Sequence, residues 1–220
     1  MDLLVSAVVP KGDEAPVAKR SLAVEVYFDF VCPWCLIGKR ELDAAARKLA
    51  ELRPDVRLDV IWRSHPLLPE TPVDGLPYQA FYVARLGGPE AVARRRAQVQ
   101  QAGMAVGLRF AFDRIEVLPN TAKAHARVAL TGQAQQSMLI DRIFTAYFLE
   151  GEDIGNGAVL DRLALQCGAQ GPAGDGEGQR AGARYPVPGV PFFVFDGSLA
   201  LSGAATSETV LDAMMRALGT

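Results

Sequence analysis

The chain predicts an α/β fold whose sheet is interrupted by an all-helical insertion. Three observations carry this reading: β-α-β signals toward the front, β-β-α signals at the back, and apolar residues at helical spacing between about residues 76 and 167. At 220 residues the chain suits one sizeable domain carrying a large insertion, and it can bury a core without disulfide staples.

The first strand lies in "LAVEVYFDF", Leu22 to Phe30, with Val24, Val26 and Phe28 on one face. A helix follows from Pro33, a residue suited to the first helical position, and runs until Arg53-Pro54 stops it. "VRLDVIW", residues 56 to 62, is the second strand, and a parallel pair here requires a right-handed crossover. Roughly five helices then follow, marked by Pro89 after Gly87-Gly88, Asn120 before "TAKAHARVAL" and Asn156 before "GAVLDRLALQC". Six glycines and Pro172 between Gly168 and Gly182 read as a linker. "PFFVF" and "LALSG" flank Asp196-Gly197, a two-residue hairpin signal, and Thr206 or Ser207 caps a last helix with Glu208 in its first turn. The element order is that of a thioredoxin fold with an inserted helical subdomain. Residues 22–65 and 188–220 would form the thioredoxin-like part. Residues 66–187 would form the insertion, with its glycine-rich linker at 168–188.

Charge and hydropathy narrow the function classes. The formal net charge is −2, so no single-sign field points to nucleic acid or to an anionic membrane surface. No window reaches the ~18 apolar residues needed to span a bilayer. Residues 1–21 read as a flexible leader or a start site placed too early, because the apolar stretch Leu3–Val9 follows Asp2 and is cut short by Pro10, Lys11 and Asp13. The expected compartment is the cytoplasm, where three cysteines do not make a structural framework.

Two of those cysteines stand in Cys32-Pro33-Trp34-Cys35, between the first strand and the first helix. At a helix mouth the first sulfur meets unsatisfied backbone N–H groups and the positive end of the helix dipole, which favour a thiolate. Cys32 is therefore the candidate nucleophile. Cys35, at i+3, shares its face and can close or resolve a disulfide, while Pro33 and Trp34 tune the pair. A zinc half-site would need two more ligands, yet His65, His125 and Cys167 are scattered singly, so no metal is expected. Two buried structural thiols are the other reading. No resident cofactor is called for.

Val190-Pro191 opens a strand far away in sequence, where a proline cannot donate to a sheet ladder. In a thioredoxin fold this place holds a cis proline facing the cysteine pair, which lets Val190 offer its backbone to an extended substrate. Asp29, three residues before Cys32, is either a turn-forming acid or a proton relay for Cys35. His65, after the second strand, either lines the active face or is a solvated loop histidine. Asn120 reads as a helix cap, and His125 as a partly buried helix residue that can also contact a ligand. Tyr78, Phe81, Tyr82, Phe110 and Phe112 are core aromatics or a lid. Arg94 to Arg96 read as a solvated helix face, and Cys167 as an inert buried thiol.

The segments "DFVCPWCLIGKREL", "LPNTAKAHARVAL", "FTAYFLEGEDIGN" and "GVPFFVFDGSLALSGA", in this order, resemble the FrnE-like branch of the DsbA family of thiol-disulfide oxidoreductases. The likeness covers most of residues 22–165 and 188–218. It implies a dithiol oxidoreductase or disulfide isomerase in which Cys32 attacks, Cys35 resolves and Pro191 is cis. Its partners would be protein or small-molecule disulfides and dithiols, with glutathione a possible redox partner. The same superfamily includes 2-hydroxychromene-2-carboxylate isomerases and kappa-class glutathione transferases, which carry serine where Cys32 stands; a glutathione-dependent enzyme of that kind is the alternative. A non-catalytic ligand-binding protein is a further one. Residues 168–188 are shorter and richer in glycine than the family's counterpart. An apolar helical face on the insertion would permit a homodimer.

Overall fold

The computed structural model describes residues 20–169 and 185–219. Most of the expected leader and most of the expected glycine-rich linker lie outside them.

Strand β1 (Arg20–Phe28) pairs in parallel with β2 (Val56–Ser64), from Arg20 opposite Val56 to Phe28 opposite Ser64. Between them runs α1 (Pro33–Leu52), which opens on a proline at its first position and stops where the Arg53 N–H closes back on the Leu49 carbonyl. On its other edge β1 pairs antiparallel with β5 (Phe192–Phe195), which pairs antiparallel with β6 (Leu199–Ser202), giving the strand order β2-β1-β5-β6. Asp196 and Gly197 both take positive φ, the conformation this hairpin signal supplies, and Ser198 adds a third residue to the turn. The closing helix α7 (Ser207–Ala217) is capped by Thr206, whose Oγ1 accepts from the Thr209 N–H.

The helical insertion comprises α2 (Tyr78–Leu86), α3 (Pro89–Ala105), α4 (Ala122–Ala129), α5 (Gln133–Thr145) and α6 (Gly157–Gln166). It is not purely helical: β3 (Leu76–Pro77) and β4 (Val117–Leu118) form a two-stranded ladder across its base. Pairings two residues long have no alternation of apolar and polar positions, so the sequence pattern carries no trace of them.

Two apolar clusters meet along α1. Leu22, Val24 and Val26 pack with Leu42, Ala45 and Leu49 of α1 and with Val210, Ala213 and Met214 of α7. Phe28, Phe30, Cys32, Cys35, Leu36 and Ile37 belong instead to a second cluster built with the insertion, whose Phe144, Tyr147 and Phe148 are fully buried. Each such side chain contributes ~1.5–3 kcal/mol on burial. Polar contacts fasten the insertion to the same helix: buried Lys39 sits 2.8 Å from Asp43 and 3.5 Å from Asp141 of α5, and Arg40 also pairs with Asp141. The sheet and the insertion thus share α1, and the cysteine pair lies where they join.

Candidate active site

Cys32 is the N-cap of α1 in an extended conformation, with no side-chain cap at the helix mouth. Its N–H donates to the Asp29 carbonyl at 3.1 Å, and its own carbonyl accepts from the Cys35 N–H at 3.0 Å. The turn that starts the helix therefore sets the spacing of the two sulfurs. Both residues are nearly enclosed, at 7% and 3% exposure. The Cys32 thiol is held below its ordinary range, chiefly because the Cys35 side chain hydrogen-bonds its sulfur, helped by the backbone N–H groups of Cys35 and Trp34. Burial, with Cys32 beside it, pushes the Cys35 thiol well up. The pair is asymmetric: the first sulfur gives up its proton more readily than the second.

The Val190-Pro191 peptide bond is cis. In thiol form Cys32 Sγ donates to the Val190 carbonyl at 3.6 Å, so residues 158 apart in sequence meet at one sulfur. When Cys32 ionises, that carbonyl loses its donor. The close approach depends on Gly38, because a Cβ there would stand 2.9 Å from the Pro191 ring and 3.2 Å from Phe193. Gly38 lies three residues after Cys35 and shares its face, a spacing that marks it out in the sequence.

Asp29 is fully buried beneath the pair. One carboxylate oxygen accepts the Leu67 N–H at 2.8 Å, and the other meets His125 Nε2 at 3.1 Å. Its charge raises both thiols, a smaller effect than the hydrogen bond and burial effects already described. Asn120 lies outside this group: it stands one residue before Thr121, the N-cap of α4, the helix that carries His125, and its amide donates to the Thr71 carbonyl while its oxygen accepts from the Ala122 N–H. His65 does not line the cleft; its backbone N–H extends the parallel pairing by donating to the Phe28 carbonyl. Cys167, just after α6, is buried, and burial raises its thiol. Among the described residues no three His, Cys, Asp or Glu side chains gather as a metal-holding cluster. No helix among them is long and apolar enough to cross a membrane.

A cavity of about 270 Å³ opens over Cys32, Pro33 and Trp34. Of the five aromatics singled out in the sequence, Tyr78, Tyr82 and Phe112 line it; Phe81 faces a separate groove, and Phe110 packs in the insertion core. Burial raises the Tyr78 hydroxyl to about 12, so it remains a neutral phenol. Arg94 and Arg95 are exposed, as the solvated reading has them, and Arg96 is partly buried. Arg95 and Arg96 reach the cavity, joined by Arg85 from α2. The signal was present: α3 buries Val92 and Val99, seven residues apart, and positions 95 and 96 fall on the same stripe between them.

No curated protein sequence matches the chain. Among solved structures, one described as a "probable DsbA oxidoreductase" from Streptomyces coelicolor is 25% identical, covers 90% of each chain and superposes with a TM-score of 0.77. A 2-hydroxychromene-2-carboxylate isomerase is 17% identical over 88% of this chain and 95% of its own, with a TM-score of 0.58, a likeness of fold. The family model of the DsbA-like thioredoxin domain matches residues 23–175, more than half of the chain and including both cysteines of the pair. This chain belongs to the DsbA-like thioredoxin domain family.

Proposed function

We propose that the protein is a dithiol-disulfide oxidoreductase or isomerase of the FrnE-like branch. The Cys32 thiolate attacks a substrate disulfide, forming a mixed disulfide and expelling one substrate thiolate. Cys35 then loses its proton and attacks Cys32, releasing the second substrate thiolate and leaving a Cys32–Cys35 disulfide. The substrate gains two electrons and the enzyme loses two; a dithiol substrate runs the sequence backwards. Val190, beside cis-Pro191, would hold the substrate backbone next to Cys32. Pro33 and Trp34 would tune the pair, and Asp29 would act on the proton of Cys35.

The observation that carries this reading is the placement of the cysteine pair at the mouth of α1, with Cys32 at the N-cap and its sulfur 3.6 Å from the Val190 carbonyl; the opposite shifts of the two thiols agree with it. Cysteine at position 32, where the isomerase and transferase branches carry serine, supports redox work over their chemistry. Residues 22–65 and 188–220 would form the catalytic frame and 66–187 the insertion that shapes its substrate site. Protein or small-molecule disulfides are the proposed partners, glutathione among them, in the cytoplasm.

Equilibrating the reduced protein with glutathione buffers tests the proposal: one reversible two-electron transition should remove both thiols together. A Cys35→Ser variant should accumulate a mixed disulfide with substrate. No reversible oxidation and no trapped mixed disulfide would overturn it.

A further inference from the structure

We propose that Arg85, Arg95 and Arg96 make the cleft over Cys32 a receptor for small anionic disulfides, with substrate carboxylates on the guanidinium rim and the disulfide against Cys32. The inference rests on the exchange chemistry proposed for that sulfur.

The protein as a whole is slightly acidic, so this local cluster of cations is not a reflection of its overall charge. The helical hairpin of α2 and α3 folds over the start of α1 and brings the three guanidinium groups to the mouth of one cavity. Aromatic rings place each of them. Arg95 stands over Trp34 at 5.7 Å, Arg96 over Tyr78 at 5.4 Å and Phe112 at 5.7 Å, and Arg85 over Phe81 at 5.8 Å. Trp34 belongs to the cysteine motif itself, so Arg95 is fixed one residue from both Pro33 and Cys35.

These cations are poorly neutralised by the protein. Arg94, the neighbour that points away, has Glu90 within ion-pair range. Among the described residues, neither Arg85 nor Arg95 has a carboxylate within that range. Arg95 donates to Gln98, and Arg96 to Gln79, both neutral amides. Arg96 has one acidic partner, Asp113, at 3.5 Å, and that carboxylate is fully exposed. Three guanidinium groups therefore face one solvated carboxylate. Arginine presents a planar fork that can grip a carboxylate through two hydrogen bonds.

The cavity below the rim is small and walled mostly by apolar groups, including Val31, Leu86, Val92 and Val99, with the thiolate-forming sulfur on its floor. A compact molecule with an apolar arm and a terminal carboxylate complements such a site. Attack by the Cys32 thiolate then forms the Cys32–substrate disulfide, breaks the substrate's S–S bond and expels a carboxylate-bearing thiolate. Cys35 then attacks Cys32, releasing the second carboxylate-bearing thiolate and leaving the Cys32–Cys35 disulfide, which two equivalents of a thiol reductant reopen while being oxidised to their own disulfide.

Three disulfides with two-carbon arms provide the test: 3,3′-dithiodipropionate, bis(2-hydroxyethyl) disulfide and cystamine, which are anionic, neutral and cationic. Second-order rate constants for oxidation of the reduced full-length protein should fall in that order. Loss of one charge-assisted hydrogen bond corresponds to roughly a 10-fold drop in the anionic rate. In an Arg95→Gln/Arg96→Gln variant the ratio of the anionic to the neutral rate constant should collapse to within about 2-fold, whatever change the two rates share. Raising salt should erode the wild-type preference. Equal rates for the three disulfides, a preference that survives the double variant, or faster reduction of a folded protein's disulfide than of dithiodipropionate would overturn the proposal and leave the exchange chemistry standing. Failure of all three disulfides to react would overturn both.

Discussion

Leu22, Val24, Leu42, Leu49, Val210 and Met214, the interior between the sheet and the outer helices, are mostly aliphatic and keep away from the cysteines. The interior under the insertion is a chain of rings instead: Phe28 meets Phe30 and Phe144 within about 6 Å, Phe144 stacks on Phe148, and Tyr147 continues the series toward Tyr78. Both sulfurs belong to this second interior. The frame supplies the strand and the helix mouth that present Cys32. The insertion supplies the walls, the rim cations and the histidine that meets buried Asp29. In this molecule the cysteine pair and most of its surroundings are encoded by different stretches of chain.

The largest effects should come from removing one large side chain from each interior. Phe144→Ala and Met214→Ala each leave a cavity, costing ~3–5 kcal/mol and ~2–5 kcal/mol. Chemical denaturation should show losses of that order for both. Only Phe144→Ala should also change the alkylation rate of Cys32, because its ring packs on Phe30 and Phe28 beside the pair. An equal change of Cys32 reactivity in Met214→Ala would erase the distinction between the two interiors.

Asp29→Asn sharpens the comparison electrostatically. The buried carboxylate raises both thiols, so its removal should carry the pH profile of Cys32 alkylation to lower pH and speed labelling near pH 6. His125 faces the same carboxylate, and an asparagine oxygen can still accept the Leu67 N–H. A profile that stays in place, or moves up, would remove Asp29 from the control of the pair.

The frame was legible in the sequence because its signals are local and strong. Alternation in "LAVEVYF", Pro33 at a helix start, Asp196-Gly197 at a turn and Thr206 at a cap each state their structure within a few residues. Cys32 and Cys35 were legible for the same reason. The rest of the site is made by contacts at long range. Asp29 meets His125 across 96 residues, and no spacing rule connects them. Arg95 and Arg96 looked like a charge run because the stripe of α3 that buries Val92 and Val99 is sparse and its apolar pattern weak. The β3-β4 ladder was too short to leave a pattern. Asn120 was readable as the start of α4, which the structure caps one residue later at Thr121, whereas its bond to the Thr71 carbonyl, 49 residues away, was not.

Gly38→Ala tests the joint between α1 and the Val190-Pro191 turn. The added methyl meets the Pro191 ring and Phe193, and crowding of this kind costs ~1–3 kcal/mol. The contact between Cys32 Sγ and the Val190 carbonyl lies close by, so exchange should slow as well as stability fall. Lost stability with unchanged exchange kinetics would mean that the Pro191 turn can shift without disturbing the sulfur.

The smallest expected effects decide whether the two interiors unfold together. Asn156 caps α6 in the insertion through a 2.9 Å bond to the Ala158 N–H, and Thr206 caps α7 in the frame through a longer 3.4 Å bond to the Thr209 N–H. Replacing either by alanine should cost ~0.5–2 kcal/mol, with Asn156→Ala the more costly because its bond is shorter. In a chain of this size ~1 kcal/mol moves Tm by ~2–4 °C. Because α1 contributes Leu42, Ala45 and Leu49 to one interior and Cys35, Leu36 and Ile37 to the other, neither can lose its packing without stripping that helix. Calorimetry should therefore give one transition, displaced downward by both variants. If Asn156→Ala splits the transition while Thr206→Ala shifts only its upper part, the insertion folds as a separate unit and α1 does not couple it to the frame.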